Sequence, residues 1–179
     1  SDLLENWINK RWFAPSEFKK YSTAGSFESV YSAYFTFDAD AMTDYRGERG
    51  ETRTRTVRSG NETKTVIETE WYRAQGRVFN SFDDITILGN TGFEPKYVNK
   101  LEPWPTQALQ PFNPDYMAGH LARTYDKDVE TCFGEARQRM ETTIDQSIRR
   151  DIGGDQQRIH QKNTKVSNLT YKHVLLPIW

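Results

Sequence analysis

Between Val129 and Ile152 apolar side chains recur at spacings of four and three: Val129, Phe133, Ala136, Met140, Ile144, Ile148 and Ile152. That pattern draws one stripe along a long α-helix, and the stripe needs an apolar surface to lie on. Asp126 is the expected N-cap. Asp128 and Glu130 fall where the helix dipole favours negative charge, and Arg149 and Arg150 where it favours positive charge. Gly153-Gly154 supplies a left-handed stop. If the larger side chains are buried at about 1.5–3 kcal/mol each, this helix is a principal anchor of the core. The rest of the chain must offer it a partner face.

That face is found earlier in the sequence. Tyr31, Ala33, Phe35, Phe37, Ala39, Ala41 and Tyr45 take alternate positions, with Ser32, Thr36, Asp38, Asp40 and Asp44 between them. A period of two means a strand with one buried face. Gly47 and Gly50 are expected to bracket a turn. Alternation then resumes from Glu51 to Tyr72, with Ser59-Gly60-Asn61 as the hairpin tip. The distal part of this ribbon is built from threonine, arginine, lysine and glutamate and has almost nothing to bury, so it should project into solvent. Gly76 to Phe82 and Ile85 to Leu88 read as further short strands of an antiparallel meander.

Prolines at positions 95, 103, 105, 111 and 114 forbid a long regular element from Phe93 to Gly119. Short helical turns packed by Tyr97, Leu101, Trp104 and Phe112 are expected there. Leu3, Leu4, Trp7, Ile8 and Trp12 at helical spacing, then Pro15 to Phe18, predict two short N-terminal helices. Gln157 to His160 and Leu169 to Trp179 predict one or two strands returning to the sheet. The expected fold class is α+β: one domain over 1–179, an antiparallel sheet with a long β-hairpin, packed by one long helix in the C-terminal third and by short N-terminal helices. The apolar ending at Trp179 suggests a fragment of a longer chain.

The chain is 36% hydrophobic and 27% charged with a net charge of −1, which is a globular balance without a global positive field to draw it onto nucleic acid. No run is long and apolar enough to span a bilayer, and no signal peptide is visible. A cytoplasmic setting is expected, at or near the inner face of the membrane if missing segments or partners bring it there. The single cysteine, Cys132, excludes an internal disulfide and any multi-cysteine zinc site, and its place beside the helical stripe marks it as a small core residue.

No phosphate loop, dinucleotide turn or His-Glu-x-x-His pair is present. Asp155, His160 and His173 could form a metal-dependent hydrolase site if neighbouring strands brought them together, but histidines in strands are more often structural. Two clusters could contact nucleic acid: Arg53, Arg55, Arg58 and Lys64 on the ribbon, with Arg46 and Arg49 near its base, and Arg149, Arg150 and Arg158 around the helix end. Glu48, Glu51, Glu62, Glu68 and Glu70 share the ribbon and favour a solvated hairpin with cross-strand ion pairs. Protein contact through the ribbon or its open edge is the preferred use of the same residues.

Several segments carry a family resemblance: Lys10-Arg-Trp-Phe-Ala-Pro15, Tyr45-Arg-Gly-Glu-Arg-Gly50, Leu101-Glu-Pro-Trp104, Pro111-Phe-Asn-Pro-Asp-Tyr116, Ile148-Arg-Arg-Asp-Ile-Gly-Gly-Asp155 and Thr170-Tyr-Lys-His-Val-Leu-Leu-Pro177. Together they resemble a bacterial zinc-ribbon protein family often described as primosomal protein N′ (replication factor Y) or helicase-like. In such proteins Cys-x-x-Cys zinc ribbons precede the region seen here, so the resemblance implies no cofactor in these residues and zinc only in a preceding ribbon. The helicase description finds no nucleotide-binding motif here. The resemblance therefore implies a non-enzymatic interaction or scaffold domain with a protein partner. A DNA-binding accessory role in replication or repair is the alternative, and the hydrolase is the third reading.

Overall fold

A computed structural model describes residues 30–60, 62–118 and 120–178. The two expected N-terminal helices, the loop expected at Gly25 and Asn61 of the hairpin tip lie outside the described residues. Four strands form one sheet: β1 (Val30–Ser59), β2 (Glu62–Leu88), β3 (Leu121–Arg123) and β4 (Gln156–Ile178). Strand β1 is the hub, pairing with each of the other three. Its first residues run parallel to β3, with Val30 opposite Leu121 and Ser32 opposite Arg123. The helices are α1 (Pro95–Val98), extended by a 3-10 turn to Leu101, and α2 (Val129–Ile152).

This architecture overturns the α+β expectation. Strand takes up 56% of the structure and helix 26%, in a mostly antiparallel four-stranded sheet with two helices. The difference lies in strand length. Gly47 and Gly50 do not bracket a turn; both lie inside β1, which runs unbroken for 30 residues. A Cβ at Gly47 would stand 2.1 Å from the carbonyl oxygen of Arg158, and one at Gly50 would stand 2.9 Å from Thr69. These glycines serve close approach by neighbouring strands. Likewise the two short strands expected after Gly76 are one, β2, and the C-terminal strands are one, β4. Each contains a single left-handed residue, Asp84 in β2 (φ 52°) and Asn168 in β4 (φ 53°), where a strand can bend and continue.

Contacts gather the chain into two compact units: one of Phe35–Ile87 and Val129–Lys172, here the helical unit, and one made of the residues up to Tyr34, Leu88–Asp128 and those from His173, here the proline-rich unit. In the helical unit the expected alternation holds: Phe35, Phe37, Ala39, Ala41, Thr43 and Tyr45 are buried, while Asp44 and Arg46 are exposed. Helix α2 buries Cys132, Ala136, Met140, Ile144, Ile148 and Ile152, the expected stripe with Cys132 added. Phe133 lies 5.6 Å from the Phe37 ring, and Asp151 is bonded to Tyr45. Helix and strand therefore advance in step: from Phe133 to Asp151 and from Phe37 to Tyr45 are each about 27 Å. Gly153 and Gly154 end the helix with φ of 67° and 72°. Lys162 of β4 fastens its flank, with Nζ 2.5 Å from both Glu141 and Asp145. Burial works against that charge, but hydrogen bonds to Asp145 and Glu141 outweigh it and hold the ammonium above its ordinary range.

In the proline-rich unit the expected N-cap fails. Both carboxylate oxygens of Asp126 accept from Thr91, one from its N–H and one from its hydroxyl, each at 2.8 Å. The core joins Tyr34, Leu88, Val98, Val174 and Leu176, with Phe93, Trp104, Leu109 and Ile178 packed against it. Prolines do break this segment into short turns, and Pro95 and Pro114 open two of them. Of the aromatic and aliphatic side chains expected to pack there, Trp104 does so, whereas Tyr97, Leu101 and Phe112 are exposed.

Candidate functional site

The distal ribbon, from Arg53 to Arg58 on β1 and from Thr63 to Glu68 on β2, is exposed on both faces. Val57, Val66 and Ile67 are exposed with it, Ile67 at 68%. Most of its cations are matched locally. Arg53 lies 3.4 Å from Glu70 across the strands, Arg49 donates to Glu51, and Lys64 is likewise engaged. Among the described residues Arg55 and Arg58 have no ion-pair partner. Because these pairs are exposed, each adds little to stability, but together they flatten the field of the ribbon.

The helix-end cluster belongs to the same unit. The Arg158 guanidinium lies 3.6 Å from the centroid of the Trp71 ring, with Nη1 3.6 Å from Glu48. Arg149 donates to the carbonyl of Gln157 at 3.0 Å, and Arg150 is exposed. Two of the three hydrolase candidates are also here and already bound. Asp155 accepts from the backbone N–H of Thr52 at 2.8 Å, and His160 Nε2 approaches Glu48 at 3.1 Å. His173 belongs to the proline-rich unit, where its ring meets Tyr125 edge-on at 4.9 Å. Asp38, Asp83 and Asp84 bring carboxylate oxygens within 4.8 Å of one another. The ammonium of Lys172 lies 3.2 Å from Asp38 and 3.3 Å from Asp84, so this group reads as an ion-paired cluster without needing a metal.

A feature that sequence reasoning missed lies in the proline-rich unit. A cavity of about 900 Å³ is lined by β1, by the segment from Trp104 to Met117, by Thr124 and Tyr125, and by β4 from His173 to Pro177. None of the described residues lining it is Asp, Glu, Lys or Arg. Trp104 meets Tyr34 edge-on at 5.6 Å, and two donors here, Tyr34 Oη and Trp104 Nε1, are buried without an acceptor. Clustered prolines among aromatics were the only signal in the sequence, and they predicted turns without a hollow between them.

No helix among the described residues is long and apolar enough to cross a membrane. No family model matches the chain, and no solved structure matches it. The chain is 25% identical over 177 residues to uncharacterized protein YdjG of Bacillus subtilis (strain 168), a match that takes in 98% of this chain and 51% of that protein. The chain thus spans about half the length of this relative, and nothing in these comparisons bears on a zinc-ribbon or primosomal family.

Proposed function

We propose that the chain is a non-enzymatic interaction module whose projecting β-ribbon receives a protein partner. The observation that carries this reading is the exposure of Val57, Val66 and Ile67 on a ribbon whose charges are largely paired within itself. Apolar side chains on an otherwise self-neutralised finger offer a partner contact area with little field to overcome. A photo-crosslinking amino acid at position 67 of the full-length protein in cells tests it. A product of defined mass is expected, lost when Val57 and Val66 are changed to Asp. No product, or products with nucleic acid alone, sinks the reading.

Arg55 and Arg58, exposed and without ion-pair partners among the described residues, favour DNA as the second reading. Phosphate contacts would make binding fall steeply with salt, and Arg55→Ala and Arg58→Ala would each lower the salt slope by about one. Absence of binding to single- and double-stranded DNA at low salt removes this alternative.

A further inference from the structure

The cavity of the proline-rich unit has the size and lining of a small-molecule site. At about 900 Å³ it stands near the upper end of the range for such pockets, and its described walls are aromatic and aliphatic with only a few polar atoms. Charge narrows the occupant. No acidic or basic side chain among the described residues lines the walls, so a charged group inside would lose its hydration without a counter-ion. The Glu102 carboxylate acts on Tyr34 at the edge of this region, which further disfavours an anion. Polarity narrows it again. Trp104 lines the cavity, and its indole N–H is buried with no acceptor; Tyr34, packed edge-on against it and 1% exposed, also has an unmet hydroxyl. Buried donors without acceptors are uncommon, because each forfeits a hydrogen bond that water would have given it.

We propose that this cavity binds a small, uncharged, largely apolar molecule carrying one hydrogen-bond acceptor, which is met by the indole N–H of Trp104. The site lies in a different unit from the ribbon, so it stands or falls independently of the interaction reading. The apolar body gains from leaving water against Leu109, Leu175 and Leu176, and the acceptor fixes its orientation.

Three ligands with one skeleton test it by calorimetric titration: 2-acetylnaphthalene, 2-ethylnaphthalene and 2-naphthoate. The ketone should bind saturably at one site, roughly tenfold tighter than the hydrocarbon, and the carboxylate should bind weakest. Trp104→Phe keeps most of the wall and removes the donor, so it should bring the ketone down to the hydrocarbon. Ala108→Trp and Thr124→Trp crowd the cavity from exposed positions that the fold tolerates, which circular dichroism and a melt verify. Both should weaken the ketone at least tenfold. The proposal is overturned if no ligand binds saturably, if ketone and hydrocarbon bind alike to the unmodified protein, if the carboxylate binds best, or if both tryptophan variants bind as the unmodified protein does.

Discussion

The phenol of Tyr45 donates a 2.6 Å hydrogen bond to Oδ2 of Asp151, tying the middle of β1 to the last turn of α2. An acidic residue at that end of a helix opposes the dipole, so its place there is explained by what it holds. Tyr45 is 5% exposed and its partner is ionised, which puts the loss of this bond in Tyr45→Phe at about 1–3 kcal/mol. Asp151→Asn keeps an acceptor and should cost less. Urea denaturation of the two single variants and the double variant measures the coupling. A Tyr45→Phe protein as stable as the parent would show that this contact does not anchor the helix.

Tyr34 and Tyr45 are both pushed up to about 12, chiefly by burial, with the charge of Glu102 adding for Tyr34 and the bond to Asp151 adding for Tyr45. In the unfolded chain a tyrosine ionises near pH ~10. The folded state therefore binds these protons more tightly, and the stability they contribute is complete below pH ~10 and lost as the pH rises towards 12. Unfolding free energy should fall over that window, and each Tyr→Phe change should reduce the slope. At pH 7 the two variants should part company. Tyr34→Phe removes a donor with no acceptor and should leave stability unchanged or raised, whereas Tyr45→Phe lowers it.

The elements most legible in the sequence were those whose pattern is local and long. The stripe from Val129 to Ile152 ends on two glycines and needs no knowledge of its partner, and the structure places α2 over those same residues. The alternation from Phe35 to Tyr45 is similarly self-contained. What failed depended on distant neighbours. Gly47 and Gly50 have the composition of a turn, but they are glycines because Arg158 and Thr69 come close to them, and that need is invisible locally. Asp126 resembled an N-cap because it precedes an apolar run, yet its carboxylate serves Thr91. The exposed ribbon could be anticipated from its lack of apolar side chains. The cavity could not, since its walls come from three separate stretches of chain.

The two kinds of glycine in this fold make opposite predictions. Gly47→Ala would set a Cβ 2.1 Å from a backbone oxygen that has no room to yield, so at least 2–3 kcal/mol, about the cost of overpacking a core, should be lost. Gly134 lies in α2 with open space where its Cβ would be. Alanine there improves helix propensity and restricts the unfolded chain, giving a gain of about 0.5–1 kcal/mol. Thermal melts of the two variants decide the matter, and a tolerated Gly47→Ala would mean that β1 and β4 are farther apart than described.

Asp38 sets the acid limit of the helical unit. Its carboxylate accepts from the backbone N–H of Asp84 at 2.8 Å and from Thr170 at 3.3 Å, with the Lys172 ammonium 3.2 Å away. Burial alone would raise its pKa, but the bond from Asp84 and the hydrogen bond and charge of Lys172 outweigh that and hold it below the ordinary carboxylate range. A folded value below the unfolded one means that the stabilisation is complete above pH ~4 and is lost as the pH falls through the folded value. Asp38→Asn should flatten the acid limb of stability against pH, and Lys172→Met should move the carboxyl back towards its ordinary value. Carbon-detected titration of the Asp38 carboxyl, run beside urea midpoints from pH 5 downwards, checks both. If Lys172→Met leaves the titration where it was, the shift comes from the backbone donor alone, and the lysine is a bystander.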